Sequence, residues 1–471
     1  MTGVPFTDLS RIDKLRVDRD SLSPDESRVL RAASVPHLSV GDDVAHSECL
    51  QVALLTAVNL AQKSFSASVP VQASQAVWNA ECLTALSSHQ RLGDALKDIG
   101  AVAQTAGQVP KVRLLLGDVP DGPRSLRVTF DGWRVGVGPA SSMARMQERP
   151  LCVLAALAAA AVAVGEAFSL WASINVEATR RDIKLSLWRP DLPMTDPESL
   201  GQQVVEFPKQ LELFGLGHLG QAYLWAAAAF PFEDKSQVTF YLCDDDVVEP
   251  PNVETGALLR PKDVDSRKTR AVFAWLGDRG FQARLIERFI DENYRRCASE
   301  PHIALSGFDN NDARHWLSRA QFNTIVDSGL GGEASNFDSI AVRTWPHVQS
   351  AEELWPLEDE ETRKKREARQ KDRTNSNPAY RDLAPDDCGR LLVANKPVAV
   401  PFVGALAASF VLAEVLRASN GGPVFSDTRV RACSLSDKPL AARLATAEGP
   451  PLRGVEFAAL RYSSDAISTR A

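Results

Sequence analysis

The 471-residue sequence predicts an α/β fold of two units, with mostly parallel sheets and helices on both faces. Three observations carry that expectation. Past residue 205, strand-like and helical runs alternate: "LELFGLG", a helix, "VTFYLCDDD", a helix through "RKTRAVFAWL", "ARLIERF", "HIALSGFDN", another helix and "TIVDSGLGG". A glycine-rich turn, Gly215 to Gly220, joins the first of these strands to its alanine-rich helix. Two apolar runs also match each other, "ALAAAAVAVGEAF" from Ala156 and "ALAASFVLAEVL" from Ala405. Each follows a proline, Pro150 or Pro401, and ends near a glutamate, Glu166 or Glu414. Such a pair is what a divergent internal duplication leaves.

The first unit, residues 1–195, opens its regular structure with an apolar-rich helix at about 48–63. The strand-like "SASVPVQ", a helical stretch around 76–98, the strands "VRLLLGD" and "GWRVGVGP", and the first alanine helix follow. "DIKLSLWRPDLP" closes the unit with a strand and a proline-marked loop. No glycine-rich turn precedes its first long helix, where "SVGDDVAHSE" stands instead, so a nucleotide-binding device is missing there. The second unit, 196–471, carries the alternation described above. Inside it, Ala351 to Arg373 ("AEELWPLEDEETRKKREARQKDR") is dense in both signs of charge and reads as a solvated insertion.

Composition narrows the function. With 53 basic against 60 acidic residues, the chain has no global electrostatic reason to bind nucleic acid or an anionic membrane. Seven cysteines without a CxxC fit a reducing, cytoplasmic setting and argue against structural zinc. The charged N-terminus has no apolar signal region. The runs 151–164 and 398–413 fall short of the ~20 residues a bilayer span needs and read as buried helices.

Gly215, Gly217 and Gly220 form GxGxxG between a strand and a helix, a turn that brings backbone N–H groups and the positive end of a helix dipole to a phosphate. The motif alone suits NAD, FAD or ATP. The next strand ends in "CDDDVVEPPN", with Asp244 placed to bind ribose and Asp246, Val248 and Asn252 completing DxDxVxxxN. Lys268 follows in "DSRKTR", and "GFDNNDAR" ends another strand with Asp309, Asn310 and Arg314.

In their order and spacing, these four elements resemble the ThiF/MoeB and ubiquitin-activating adenylyltransferases, strongly over 205–345 and more loosely over 380–435. The resemblance implies two Rossmann-like adenylation folds in one chain, an inactive N-terminal one and an active C-terminal one, reproducing the family's dimer as a pseudo-dimer. It also implies ATP and Mg²⁺ as cofactors. Gly215, Gly217 and Gly220 would form the nucleotide loop, and Asp244 would take the ribose. Asp246, Asn252, Lys268 and Asn310 would complete the nucleotide site, with Lys268 offsetting charge on departing pyrophosphate, and Asp309 would hold Mg²⁺. Where the family places an Arg-Gln pair three residues beyond the asparagine, this chain has Thr255 and Gly256, leaving Arg260 to reach the phosphates from a shifted position. The family also draws an arginine from the partner fold, for which Arg11, Arg16, Arg28 and Arg31 are candidates.

Cys388, in "APDDCGRLLVANKPVAVPFVGALAASF", is similar to the crossover-loop cysteine of single-chain, non-classical activating enzymes. A thiolate there would take the acyl group as a thioester. The crossover loop, with the insertion, spans about 347–396. Cys243 and Cys433 read as core, and Cys297 is the second choice. The implied function is activation of a ubiquitin-like protein with a C-terminal glycine, for transfer to a conjugating enzyme. The closest type is the activating component of bacterial ubiquitin-like conjugation operons (antiphage, Bil-type). Alternatives are a sulfur-carrier or peptide adenylyltransferase without a thioester step, an NAD-dependent dehydrogenase, and an inactive scaffold binding a ubiquitin-like protein.

Overall fold

The computed structural model describes residues 9–104, 109–346, 350–365, 368, 396–445 and 452–461. Their strands form two large sheets of mixed but mainly parallel character. In the first, β1 (His37–Val40), β2 (Val69–Gln72), β3 (Ala101–Ala103), β4 (Arg113–Leu116) and β5 (Ser125–Asp131) are parallel, and β6 (Arg134–Pro139) and β7 (Ile183–Ser186) extend the sheet antiparallel, in the order β3-β2-β1-β4-β5-β6-β7. A short strand β8 (Glu206–Pro208) then leads to the second sheet.

That sheet holds β9 (Gln210–Phe214), β10 (Thr239–Cys243), β11 (Gln282–Ile286), β12 (Ile303–Ser306) and β13 (Thr324–Leu330) in parallel, then β14 (Ser339–Trp345), β15 (Phe425–Arg431) and β16 (Ala441–Leu444) antiparallel. Its order, β11-β10-β9-β12-β13-β14-β15-β16, repeats that of the first sheet and adds one strand. A last strand, β17 (Phe457–Ala459), pairs with β8 as a separate ribbon. The two alanine helices, Val153–Ala172 and Pro401–Ser419, each follow the sixth strand of their sheet, so the repeat seen in sequence is also a repeat of topology.

Both helices run longer than the apolar stretches suggest, 20 and 19 residues, and are buried along almost their whole length. With Glu48–Phe65 and His218–Ala228, the helices that follow the first strand of each sheet, they form one apolar layer shared by both halves. Phe168 and Phe402 pack across the halves with ring centroids 5.3 Å apart and planes tilted by 53°, and a Cβ on Gly165 would stand 3.0 Å from the Phe402 ring. Trp225 Nε1 donates to Thr56 Oγ1 at 3.0 Å across the same boundary. Each large side chain buried here contributes about 1.5–3 kcal/mol, so the halves are held as a core holds, not as a rim contact holds.

Two local expectations give way. The stretch 76–98 is not one helix but two, Gln75–Asn79 and Leu92–Asp98. The buried Gln51 amide takes the backbone of the intervening segment, donating to Glu81 O at 2.9 Å and accepting from Leu83 N at 2.8 Å, and these bonds replace helical ones. Two helices the sequence reading left out, Lys14–Asp20 and Pro24–Ala32, precede β1, the second opened by a Ser23/Glu26 capping box.

At the carboxyl end of β1, where the second half has its glycine loop, the first half is filled. The Asp43 carboxylate accepts from Asp118 N at 2.9 Å and pairs with Arg145, and a Cβ on Gly41 would meet Asp118 N at 2.5 Å. A carboxylate at that helix entry repels the anion that a glycine loop would welcome.

Candidate active site

Strand order reverses at β9, which has β10 on one side and β12 on the other. Open α/β sheets place ligands in the crevice at such a switch point, beyond the carboxyl ends of the strands. A cavity of about 850 Å³ lies there. Gly215 enters it at φ +80°, in the left-handed region, and a Cβ on Gly220 would stand 2.0 Å from Gly215 O, so the loop and helix touch only because position 220 is glycine. Among the described residues a Cβ on Gly217 meets nothing within 4 Å, leaving its backbone open to the cavity.

Asp244, one residue past β10, accepts from Leu216 N at 2.6 Å and from Asp246 N at 2.8 Å, tying the second strand end to the loop. Burial pushes its carboxyl above the ordinary range, against the pull of Lys268 and the two N–H groups. Lys268 Nζ is 2.5 Å from Asp246 Oδ2 and 3.9 Å from Asp244 Oδ1, a buried cation held at the cavity wall. Asn252 also lines the cavity, and its Oδ1 accepts from Glu249 N at 2.9 Å, which fixes the turn beneath it.

Beyond β12, Asp309 projects an exposed carboxylate, and Asn310 caps the helix Asn311–Ser318 through Ala313 N at 2.8 Å. Arg314 acts from behind: its Nε donates to the buried Asp327 at 3.0 Å while Nη2 grips Phe308 O, setting the direction in which the chain enters Asp309. The exposed oxygens of Asp309 are hard donors of the kind a magnesium ion takes, as are those of Asp244, Asp245 and Asp246, which group with one another, so the residue types at the site fit that metal.

Of the four arginines proposed from the first half, Arg11 lines this cavity. Burial lowers its guanidinium below the ordinary arginine range, opposed by Glu249, Asp309 and Glu254. The others are spent elsewhere: Arg16 on Trp171 O at 2.9 Å, Arg28 on Asp25 at the surface, and Arg31 in a buried pair with Asp13 at 2.9 Å and with Glu254 at 3.0 Å.

Arg260 corrects the sequence reading. It does not line this cavity; its two terminal nitrogens sit 2.8–3.0 Å from Asp98 of the first half, on the wall of a different one. The reason is local. Gln221 Oε1 accepts from both Leu258 N and Leu259 N at 3.1 Å, and the chain leaving that clasp points Arg260 away from the glycine loop.

His218, inside the glycine motif, was not singled out, yet its ring lines the cavity. Burial first, then the charge of Arg11, pushes its pKa down to about 4, so it stands neutral beside a cation. Its Nε2 occupies the space that a Cβ on Gly404 would need, at 2.4 Å, linking the loop to the start of the Pro401–Ser419 helix. The signal was a bulky residue between the glycines of a tight turn.

The segment Pro397–Ala399 closes another wall, anchored by Val398 N to Gly332 O at 2.8 Å. Cys388 lies outside the described residues, as do 366, 367 and 369–373 of the charged insertion. Among the other cysteines, burial pushes the thiols of Cys243 and Cys433 up, the latter to about 12, which suits core positions and not nucleophiles. Cys297 is exposed and is not part of the cavity wall.

Family models described as the BilD N-terminal domain and the BilD C-terminal domain match residues 36–187 and 207–422. The bacterial E1-like protein BilD of Collimonas sp. (strain OK412) is 34% identical over 404 residues, which is 84% of this chain and 85% of that protein. Among solved structures, E. coli MccB is similar with a TM-score of 0.33 at 15% identity, over 52% of this chain and 64% of that one. MccB with AMPCPP and MccA gives 0.33 at 14% identity, over 53% and 66%. Likeness as slight as that to MccB supports no argument about chemistry.

Proposed function

The chain belongs to the BilD family of bacterial E1-like proteins, and from that premise we propose that it activates the C-terminal carboxylate of a ubiquitin-like protein by adenylation. One observation supports this above the others: the glycine loop, Asp244, Lys268 and Asp309 from the second half and Arg11 from the first all line one cavity. A dehydrogenase needs the loop and a ribose carboxylate; it has no use for two cations and an exposed carboxylate around them.

In this reading ATP lies with its phosphates over Gly215–Gly220 and its ribose at Asp244. The carrier's terminal glycine carboxylate attacks the α-phosphorus, forming a carboxyl–phosphate bond as the bond to pyrophosphate breaks. Lys268 and Arg11 are positioned to take up the charge that develops on the leaving group. Asp309 would hold Mg²⁺, which when bound supplies charge neutralisation at the phosphates. Neutral His218 adds no further charge to the loop and keeps it packed against the crossover exit.

The acyl group then passes to Cys388. In sequence, eight residues separate that cysteine from Pro397 on the cavity wall. The thiolate displaces AMP, and the thioester is the form handed to a conjugating enzyme, in a cytoplasmic antiphage pathway. ATP–pyrophosphate exchange that depends on a carrier ending in glycine tests the first step. Asp309→Ala should abolish it, and exchange that survives that change rejects the assignment. Cys388→Ala should keep exchange and lose a thiol-sensitive adduct; an adduct that persists moves the thioester to another cysteine.

A further inference from the structure

A second cavity, of about 490 Å³, lies between the two halves and shares no lining residue with the nucleotide cavity. A third, of about 360 Å³, adjoins it across the Arg260–Asp98 bridge, and the two have Trp275 and Arg279 in common. Together they form a groove walled by both halves.

The groove holds more positive charge than it neutralises. Lys63 Nζ donates to Val253 O at 2.6 Å and Leu259 O at 3.1 Å, which uses two of its three donors. Arg279, 9% exposed, lies 3.9 Å over the Trp275 ring and donates to Leu86 O and Trp275 O. Among the described residues neither cation has a carboxylate at ion-pair distance, although buried charges are ordinarily paired. The two acids on the wall of the larger cavity are engaged, Glu254 by Arg31 at 3.0 Å and Asp98 by Arg260 at 2.8 Å. Burial first, then the charge of Arg260, pushes Lys63 down to about 8 and Arg279 to about 10, against smaller opposing contributions from Glu254 and Asp263 at Lys63 and from Asp278 and Asp98 at Arg279. Trp225 and Trp275 line the same space, their rings 6.4 Å apart and splayed by 37°.

We propose that this interdomain groove is a second ligand site, for a phosphate-bearing small molecule with a flat ring, of the size of a nucleoside diphosphate. The phosphates take the open donor of Lys63 and the guanidinium of Arg260, released from Asp98, while the ring lies against the tryptophans. Because Lys63 and Asp98 come from one half and Arg260 and Arg279 from the other, such a ligand ties the halves together at a place distinct from the reaction.

Isothermal titration of the full chain with ADP tests this. The wild type should bind two equivalents. Gly217→Asp, which sets a carboxylate into open space at the glycine loop, should bind one. Arg260→Gln should also bind one, and Lys63→Met in the Gly217→Asp background should bind none. Trp275→Leu should weaken the second site about tenfold, as loss of one stacked ring does. Melting curves identify any variant that has failed to fold, and Arg260→Gln, at a half-exposed ion pair, is the variant that keeps the test decisive. A single equivalent removed by Gly217→Asp, or two equivalents retained in Arg260→Gln, overturns the proposal. Either result leaves the activation reading standing, since pyrophosphate exchange tests that separately.

Discussion

Arg11→Ala separates catalysis from folding at one residue. Among the described residues the Arg11 Nε is buried without a hydrogen-bond partner, and the side chain lies on the cavity wall near Asp309 and Glu249. Little structure depends on it, so removing it should change stability by less than about 1 kcal/mol. If it stabilises the departing pyrophosphate, its loss should resemble the loss of one preorganised donor, roughly 10²–10³-fold in rate, or about 3–4 kcal/mol. Arg31→Ala should do the reverse. It strands the fully buried Asp13 and should cost roughly 3–5 kcal/mol of stability. Pyrophosphate exchange and denaturant unfolding on both variants, with Arg28→Ala as a surface control, give the comparison. Exchange in Arg11→Ala within threefold of wild type would refute the reasoning, as would a loss of rate matched by a loss of folded protein.

Gly220→Ala should damage both loop and fold, by roughly 1–3 kcal/mol, because its Cβ would stand 2.0 Å from Gly215 O; unfolding and nucleotide affinity measured together check it. Phe402→Ala should cost about 3–5 kcal/mol and leave one cooperative transition, seen by calorimetry, since its ring packs on Gly165 and Phe168 of the other half. Glu212, buried in β9 beneath the site and bonded to Tyr294 at 2.9 Å, has its carboxyl pushed up to about 8 from 4.5 by burial. The folded state therefore binds the proton more tightly than the unfolded one, and this group's contribution is fully present below pH 4.5 and lost as pH rises to about 8. Glu212→Gln should remove that slope from a stability–pH profile.

Much of the site could be read in advance because its residues are strand-end residues. Gly215, Asp244 and Asp309 lie at or just past the ends of β9, β10 and β12, and in a parallel sheet neighbouring strand ends are neighbours in space. Spacing along the chain therefore carried position in three dimensions. Arg260 failed for the complementary reason: it follows a loop, and the Gln221 clasp that aims it comes from a helix about forty residues earlier. Arg11 and Arg31 are indistinguishable by sequence, since each is one arginine near a short helix, and only burial against Glu254 and Asp13 tells them apart. The antiparallel strands β6, β7, β14, β15 and β16 were read only in part; β14 alternates buried and partly exposed positions and β15 breaks even that alternation at a register shift, weaker signals than the continuous apolar runs of the central strands.

The shared helix layer has a consequence for how such a site can be maintained. When the arginine-donating fold is a separate subunit, a site is whole only while the subunits stay associated, and dilution takes it apart. Here Arg11 is tethered by the chain and by a common core, so in the proposed reaction its effective concentration at the phosphates would be fixed, and specific activity should not fall on dilution. The tether also frees the two folds from each other's history. In a symmetric dimer every substitution appears twice, so filling one nucleotide loop with Asp43 and Arg145 would fill both; in a single chain it appears once, and one fold is released to serve as scaffold while the other keeps the chemistry.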